Sequence, residues 1–376
     1  MAKPVGSSCN VNCVYCYYLD ADSRGDNGRM SDALLEAFIR GYIEASPGPV
    51  VPFTWHGGEP ALAGLDFFRL AVELQKRYLP RGWTCWNNLQ TNGTLLDDEW
   101  AAFLAENRFD VGLSVDGTRE QHDRCRKDRA GGATYDRAVA AVKLLQGRGI
   151  QADLLCTVTS AAARDPLAVY RALRDLGTGW IQFIPIVHRT AGGELSPESV
   201  GGEEYGRFLC EIFDEWLLND LGKTEVQLFA ETAMVRSGRA AALCWMAPTC
   251  GRVLIVEKDG GVYACDHYVT PDRRLGDIAE AGLGALVDSP PQRRFGGDKR
   301  DTLPKQCREC QYLSLCNGGC LKDRLAVTAS GEPGLNVLCA GLKRFFAHSE
   351  QPMKRVMALR RRGLGPDAIM AELNRG

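Results

Sequence analysis

Three cysteines stand within eight residues near the start of the chain. They are Cys9, Cys13 and Cys16, spaced x3 and then x2. A four-iron, four-sulfur cluster usually takes four thiolates. Three from one short loop leave one iron open, and an open coordination position is what a catalytic metal needs for its substrate. A three-ligand zinc loop, or a reduced cysteine cluster without metal, would use the same residues.

Eight of the fifteen cysteines lie between Cys244 and Cys339. They run Cys244-x5-Cys250, then Cys265, then Cys307-x2-Cys310-x5-Cys316-x3-Cys320, and finally Cys339. Eight thiolates complete two four-ligand sites. Full cysteine ligation offers no open iron, so such sites would carry electrons or hold structure. Two structural zinc sites would suit thiolates as well. Cys85, Cys125, Cys156 and Cys210 remain, and single cysteines are commonly small buried hydrophobes.

The elements that must position these residues follow from the pattern. The chain has 376 residues, enough for about two domains. A formal net charge of −2 gives no reason to expect nucleic acid or an anionic membrane as partner. No apolar run approaches the ~20 residues of a membrane span, and Met1–Pro4 lacks the apolar core of a signal peptide. A cytoplasmic location is expected, where disulfides do not persist and metal ligation explains the cysteines. Strand-like runs at Val50–His56, Trp86–Gln90, Val111–Val115, Ala152–Val158 and Trp180–Val187 alternate with amphipathic segments. Those segments are Asp32–Ala45 behind a Ser31 cap, Leu65–Tyr78, Asp97–Asn107, Thr134–Arg148 and Pro166–Leu176. Such alternation predicts an α/β fold, with βαβ units around a parallel sheet. Five or six units fit a partial barrel, whose chemistry sits at the C-terminal strand ends. A helix over Glu203–Leu218 with an apolar face follows. Val253–Val256 and Gly261–Cys265 flank Asp259-Gly260 as a β-hairpin. The basic tail Ser349–Gly376, with Arg360–Arg362, reads as a surface helix.

Marked residues fall at the strand ends. Gly57-Gly58-Glu59-Pro60 follows the first strand, and its glycines let backbone approach a ligand closely. Gln90-Thr91-Asn92-Gly93 follows the second. Ser114-Val115-Asp116-Gly117 follows the third, with Arg126 beyond it, whose fork suits a carboxylate. Tyr15 lies inside the cysteine loop. Asp266 directly follows Cys265, close enough to a cluster ligand to serve as a general base.

The Cys9–Cys16 spacing resembles that of the radical S-adenosylmethionine (SAM) enzymes, and the later cysteines resemble the SPASM extension of that superfamily. The segments 89–95, 111–117, 265–269 and 338–341 make the likeness to the anaerobic sulfatase-maturating enzymes run from Cys9 to about Phe346. The resemblance implies a partial (β/α)6 radical SAM barrel over residues 1–230 and a small SPASM domain, with hairpin and helices, over 231–348. Residues 349–376 form a helical tail. It implies three 4Fe-4S clusters. Cys9, Cys13 and Cys16 would hold the first. Cys244, Cys250, Cys265 and Cys320 would hold the nearer auxiliary cluster, and Cys307, Cys310, Cys316 and Cys339 the farther one. Tyr15, Gly58, Glu59, Ser114, Arg126 and Val187 would contact SAM. The implied reaction is oxidation of a cysteine or serine in a sulfatase to Cα-formylglycine. A 5′-deoxyadenosyl radical removes a Cβ hydrogen, Asp266 takes the thiol or hydroxyl proton, and one electron leaves into the cluster of Cys265. A flavodoxin or ferredoxin would donate electrons. His56 stands where this family often has glutamine, so it joins Gln90 and Asn92 as a substrate-facing candidate. The departure keeps a second reading open, a SPASM maturase that crosslinks a ribosomally made peptide.

Overall fold

A computed structural model describes residues 1–18, 28–190 and 192–375. The chain divides into two compact units. The first comprises Met1–Ser114, Asp123–Asp153 and Gly251–Gly297. The second comprises Val115–His122, Leu154–Cys250 and Asp298–Gly376. No described helix is long and apolar enough to cross a membrane.

In the first unit, strands Val50–Trp55, Thr84–Thr91 and Asp110–Ser114 lie side by side and parallel, in that order. Helices Asp32–Ala45, Leu65–Tyr78 and Asp98–Glu106 alternate with them. The first begins where it does because the Ser31 hydroxyl accepts from Leu34 N–H, and the third because Asp97 accepts from Trp100 N–H. Between helices and sheet sits an aromatic core. Phe38, Phe53, Trp55, Phe67, Phe68 and Trp100 meet mostly edge to face, at centroid separations of 5.3–6.1 Å. Its buried polar groups satisfy one another, with Trp55 Nε1 and Gln75 Nε2 both donating to Asn87 Oδ1 at 2.9 Å.

A second, antiparallel sheet belongs to this unit, in the order Arg274–Asp277, Gly261–Tyr263, Ile255–Val256. The expected hairpin is therefore present. What ties it to the parallel strands is the extreme N-terminus. Ala2 donates to Thr54 O and accepts from His56 N–H, while Lys3 N–H donates to Val256 O. Ala2 forms parallel bridges with both Trp55 and Val256. This clasp carries the Cys265–His267 segment to the Cys9 loop.

The second unit holds the parallel neighbours Asp153–Val158, Trp180–Pro185 and Glu225–Val226. Helix Gly202–Asn219 packs on the 23-residue helix Cys339–Arg361. Their backbones nearly touch, since a Cβ added to Gly341 would lie 1.9 Å from Gly202 O. The tail differs from expectation here. The position 348/349 falls inside Cys339–Arg361, and Ser349, Met353, Val356 and Leu359 are buried. Their 3–4-residue spacing is a helical stripe that the intervening charges Glu350, Lys354 and Arg355 obscure. A further helix, Pro366–Leu373, follows.

Candidate active site and cluster-binding sites

The cysteine loop is built by close backbone approach. Gly58 N–H donates to Gly6 O and Glu59 N–H to Ser8 O, both at 2.8 Å. A Cβ on Gly58 would lie 2.0 Å from Ser8 O, so only glycine fits. The Glu59 carboxylate points back into the protein. It accepts from Ala61 N–H at 3.0 Å, Thr91 Oγ1 at 2.7 Å and Asn92 N–H at 2.7 Å. Burial pushes its pKa up, against the pull of those donors. Glu59 thus pins the Gly57–Glu59 turn to the end of the neighbouring strand, and only its backbone is left for a ligand.

Asn92, expected to face substrate, spends its side chain on the cysteine loop. Its Nδ2 donates to Asn10 Oδ1 at 2.9 Å and approaches Cys9 Sγ at 3.7 Å, and its Oδ1 accepts from Thr94. Gln90 is half-buried on the Thr84–Thr91 strand. The opposite side of the loop is held by a two-strand pairing of Val11–Cys13 with Arg126–Asp128. That register sets Arg126 opposite Cys13, with Nη1 3.8 Å from Cys13 Sγ and the guanidinium 5.4 Å over the Tyr15 ring. Arg129 Nε caps Cys9 O at 2.7 Å. Ser114 ends its strand and is the last residue of the first unit's opening segment. Val187 is buried in the second unit, two residues past the Trp180–Pro185 strand.

The electrostatic environment of Cys9 asks for a metal. Burial pushes Cys9 up to about 12, and the charges of Glu59, Cys13 and Cys16 add to it. A coordinated cation removes that cost by deprotonating the thiols outright. Among the described residues no three His, Cys, Asp or Glu side chains close on a single ion.

Asp266 lies in the same unit. Lys3 Nζ sits 2.7 Å from Asp266 Oδ1 and 3.3 Å from Glu257, with no exposed side-chain surface. Tyr17 donates to Asp266 at 2.6 Å and Tyr18 at 3.1 Å. Lys3 also lies 4.4 Å over the Tyr18 ring, and His267 meets Tyr17 edge-on. Burial would raise the Asp266 carboxyl, but the charges of Lys3, His56 and His267 outweigh it and hold it well below the usual range. Burial lowers His56, and its Nδ1 is buried without a hydrogen bond. The sequence reading missed Lys3, Tyr17 and Tyr18. The tyrosine pair directly after Cys16 was the available signal; nothing marked Lys3.

In the second unit, Cys307, Cys310, Cys316 and Cys339 line one cavity, closed by Leu342 and Phe346. Burial pushes Cys316 up to about 11, and the thiols that add to it are Cys307, Cys339 and Cys310. A four-thiolate cluster fits this donor set. Cys244 likewise raises both Cys250 and Cys320. Cys265 lies in the first unit. Of the leftover cysteines, Cys125, Cys156 and Cys210 are buried and Cys85 is half-buried.

Comparison with known proteins accords with this geometry. The Radical SAM superfamily model matches residues 4–161, and that for SPASM, an iron-sulfur cluster-binding domain, matches residues 244–311. A serine-type anaerobic sulfatase-maturating enzyme of Bacteroides thetaiotaomicron is 42% identical, over 93% of this chain and 88% of its own. The chain belongs to the anaerobic sulfatase-maturating enzymes. A cysteine-type member of this family from Clostridium perfringens is 34% identical over 93% of the chain and 95% of its own. The solved structure of anSMEcpe with AdoMet and a peptide bound superposes with a TM-score of 0.86 at 32% identity, covering 94% of this chain and 97% of that one. The chain is thus a radical SAM oxidoreductase, with that superfamily's α/β fold, a parallel sheet and a SPASM domain. Its cofactors are iron–sulfur clusters, three by the family's pattern, and S-adenosylmethionine. SuiB of Streptococcus suis, at 16% identity and a TM-score of 0.64, shares the fold alone.

Proposed function

We propose that this enzyme oxidises a cysteine or serine of a sulfatase polypeptide to Cα-formylglycine, with Asp266 as the base. The observation that carries the reading is the Asp266 carboxylate, held by Lys3, Tyr17 and Tyr18 in the same unit as the Cys9–Cys16 loop. Cys9, Cys13 and Cys16 hold the catalytic cluster, and backbone at Gly58 and Glu59 takes the SAM amino group. Arg126 takes the SAM carboxylate, Ser114 the ribose, and Val187 and Tyr15 pack on the ligand. When bound, cluster and SAM supply a 5′-deoxyadenosyl radical that takes a hydrogen atom from the substrate Cβ.

The chain's own task is to hold that Cβ in place and move one proton. Asp266 rests ionised and accepts the substrate thiol or hydroxyl proton, the substrate group replacing the Tyr17 donor. Lys3 keeps the carboxylate in place, and His56 faces the substrate. Residues 1–230 act as the barrel domain, and the cysteine-rich stretch from 231 into the Cys339–Arg361 helix acts as the SPASM domain. A flavodoxin- or ferredoxin-class carrier supplies electrons. The fifteen cysteines, all free of disulfides, support a cytoplasmic setting.

The test is an anaerobic assay with reductant, SAM and paired peptides of the Cys/Ser-x-Pro/Ala-x-Arg type. Loss of two hydrogens from serine, or exchange of sulfur for oxygen from cysteine, is expected. No mass change on either peptide rejects the reading. Peptide crosslinking is the less favoured alternative, because the relatives that cover the chain at 34–42% identity are sulfatase-maturating enzymes.

A further inference from the structure

Two cations lie among the later cysteines, Lys299 fully buried and Arg324 half-buried. Lys299 is 1% exposed, and its Nζ donates to Ala247 O, inside the Cys244–Cys250 loop. Arg324 spends its guanidinium on Gly318 O at 3.1 Å, Asn317 O at 3.0 Å, Lys299 O at 2.6 Å and Thr302 Oγ1 at 3.4 Å. Gly318 and Asn317 lie in the three-residue link between Cys316 and Cys320, one cysteine from each set of four. Neither cation has a carboxylate partner among the described residues. A buried charge left uncompensated is costly. The ionisable groups that each cation faces are cysteines, which become thiolates when they hold a metal. For Lys299 these are Cys250, Cys244 and Cys316. For Arg324 they are Cys307, Cys320, Cys316 and Cys250, which come from both sets. A third cation, Lys343, lines the cavity of Cys307 and Cys339 and faces those thiols.

We propose that Lys299 and Arg324 are positioning residues that set the reduction potentials of the two four-cysteine sites, Lys299 for the Cys244–Cys250 site and Arg324 for both. The inference rests on the reading of these sites as iron–sulfur clusters. The potential of such a cluster follows its net charge, hydrogen bonding and exposure. Each one-electron reduction adds a negative charge to an already anionic site. A fixed buried cation favours the reduced form and raises the potential. Arg324, shared between the sets, raises both.

The experiment uses the full chain with Cys9, Cys13 and Cys16 changed to Ala, so that only these two sites hold iron. Each site is titrated anaerobically and followed by electron paramagnetic resonance. Lys299→Met should lower one potential, with the reduction equilibrium constant falling at least tenfold, which is 59 mV for one electron. Arg324→Met should lower both, and Arg324→Lys should restore most of the shift. Iron-replete Met variants that titrate like the parent overturn the proposal. So does an Arg324→Lys variant that shifts as far as Arg324→Met, because contacts and not charge would then be responsible. Should the Met variants bind no iron, Lys343→Gln, at a half-buried helix position, gives the deciding measurement. It should lower only the Cys307–Cys339 site, and no shift there overturns the electrostatic account. A parent chain without iron at these positions would refute the cluster reading instead.

Discussion

Gly58→Ala should cost the enzyme its catalytic cluster. The backbone at Gly58 lies outside the positive-φ region, so the objection to alanine is steric. The added Cβ would stand 2.0 Å from Ser8 O, 2.5 Å from Ser8 C and 2.6 Å from Ser7 C. Ordinary contacts between carbons lie at about 3.5–4.0 Å, so this backbone must retreat by more than an ångström. Overpacking of that kind costs about 1–3 kcal/mol. The retreat also breaks the two 2.8 Å bonds to Gly6 O and Ser8 O, worth about 1 kcal/mol each. The sum, about 3–5 kcal/mol, is a large part of a domain's ~5–15 kcal/mol. It falls one residue from Cys9. Anaerobically reconstituted Gly58→Ala should therefore lose about four of about twelve iron atoms and form almost no 5′-deoxyadenosine. Gly41→Ala is the control, since nothing lies within 4 Å of its added Cβ and a helical Gly-to-Ala change gains about 0.5–1 kcal/mol. A Gly58→Ala enzyme with the parent's iron content and SAM cleavage would refute the steric argument.

Lys3→Met removes the cation from two buried carboxylates and should destabilise the chain by about 3–5 kcal/mol in denaturant titrations. In the parent, the depressed Asp266 carboxyl stabilises the fold above its ordinary value of 3.8 and loses that contribution as pH falls below it. Without Lys3 that acid-side loss should shrink, and the acid limb of activity should move to higher pH. Asp266→Asn should keep its iron and SAM cleavage while formylglycine formation falls about 10²–10⁴-fold; product at the parent's rate would remove Asp266 as the base. Cys316→Ala should drop about four iron atoms and leave the N-terminal cluster's SAM cleavage intact, as iron analysis and 5′-deoxyadenosine assays will read.

The parallel strands and their helices were legible wherever a period or a cap marks them. Asp32–Ala45 and Leu65–Tyr78 have the bounds that their stripes and the Ser31 cap imply. Strand ends were less so. Val50–Trp55 stops one residue short of His56, which leaves the imidazole at the sheet's end, and Thr84–Thr91 extends into polar residues that carry no alternation. Strands of two or three residues, such as Val11–Cys13 and Arg126–Asp128, have no period to read, yet their pairing puts Arg126 at Cys13. The cysteine spacings announced the metal chemistry because ligand geometry is local in the chain. Lys3 could not be foreseen, because its partners Glu257 and Asp266 are more than 250 residues away.

That separation bears on how the enzyme comes into being. Ala2 and Lys3 are translated more than 250 residues before their neighbours Val256 and Asp266. Contacts of such long range form late. The Cys9–Cys16 loop is therefore translated long before the proposed base, and the nascent chain passes through a stage at which the proposed metal ligands exist without the carboxylate proposed to take the substrate proton.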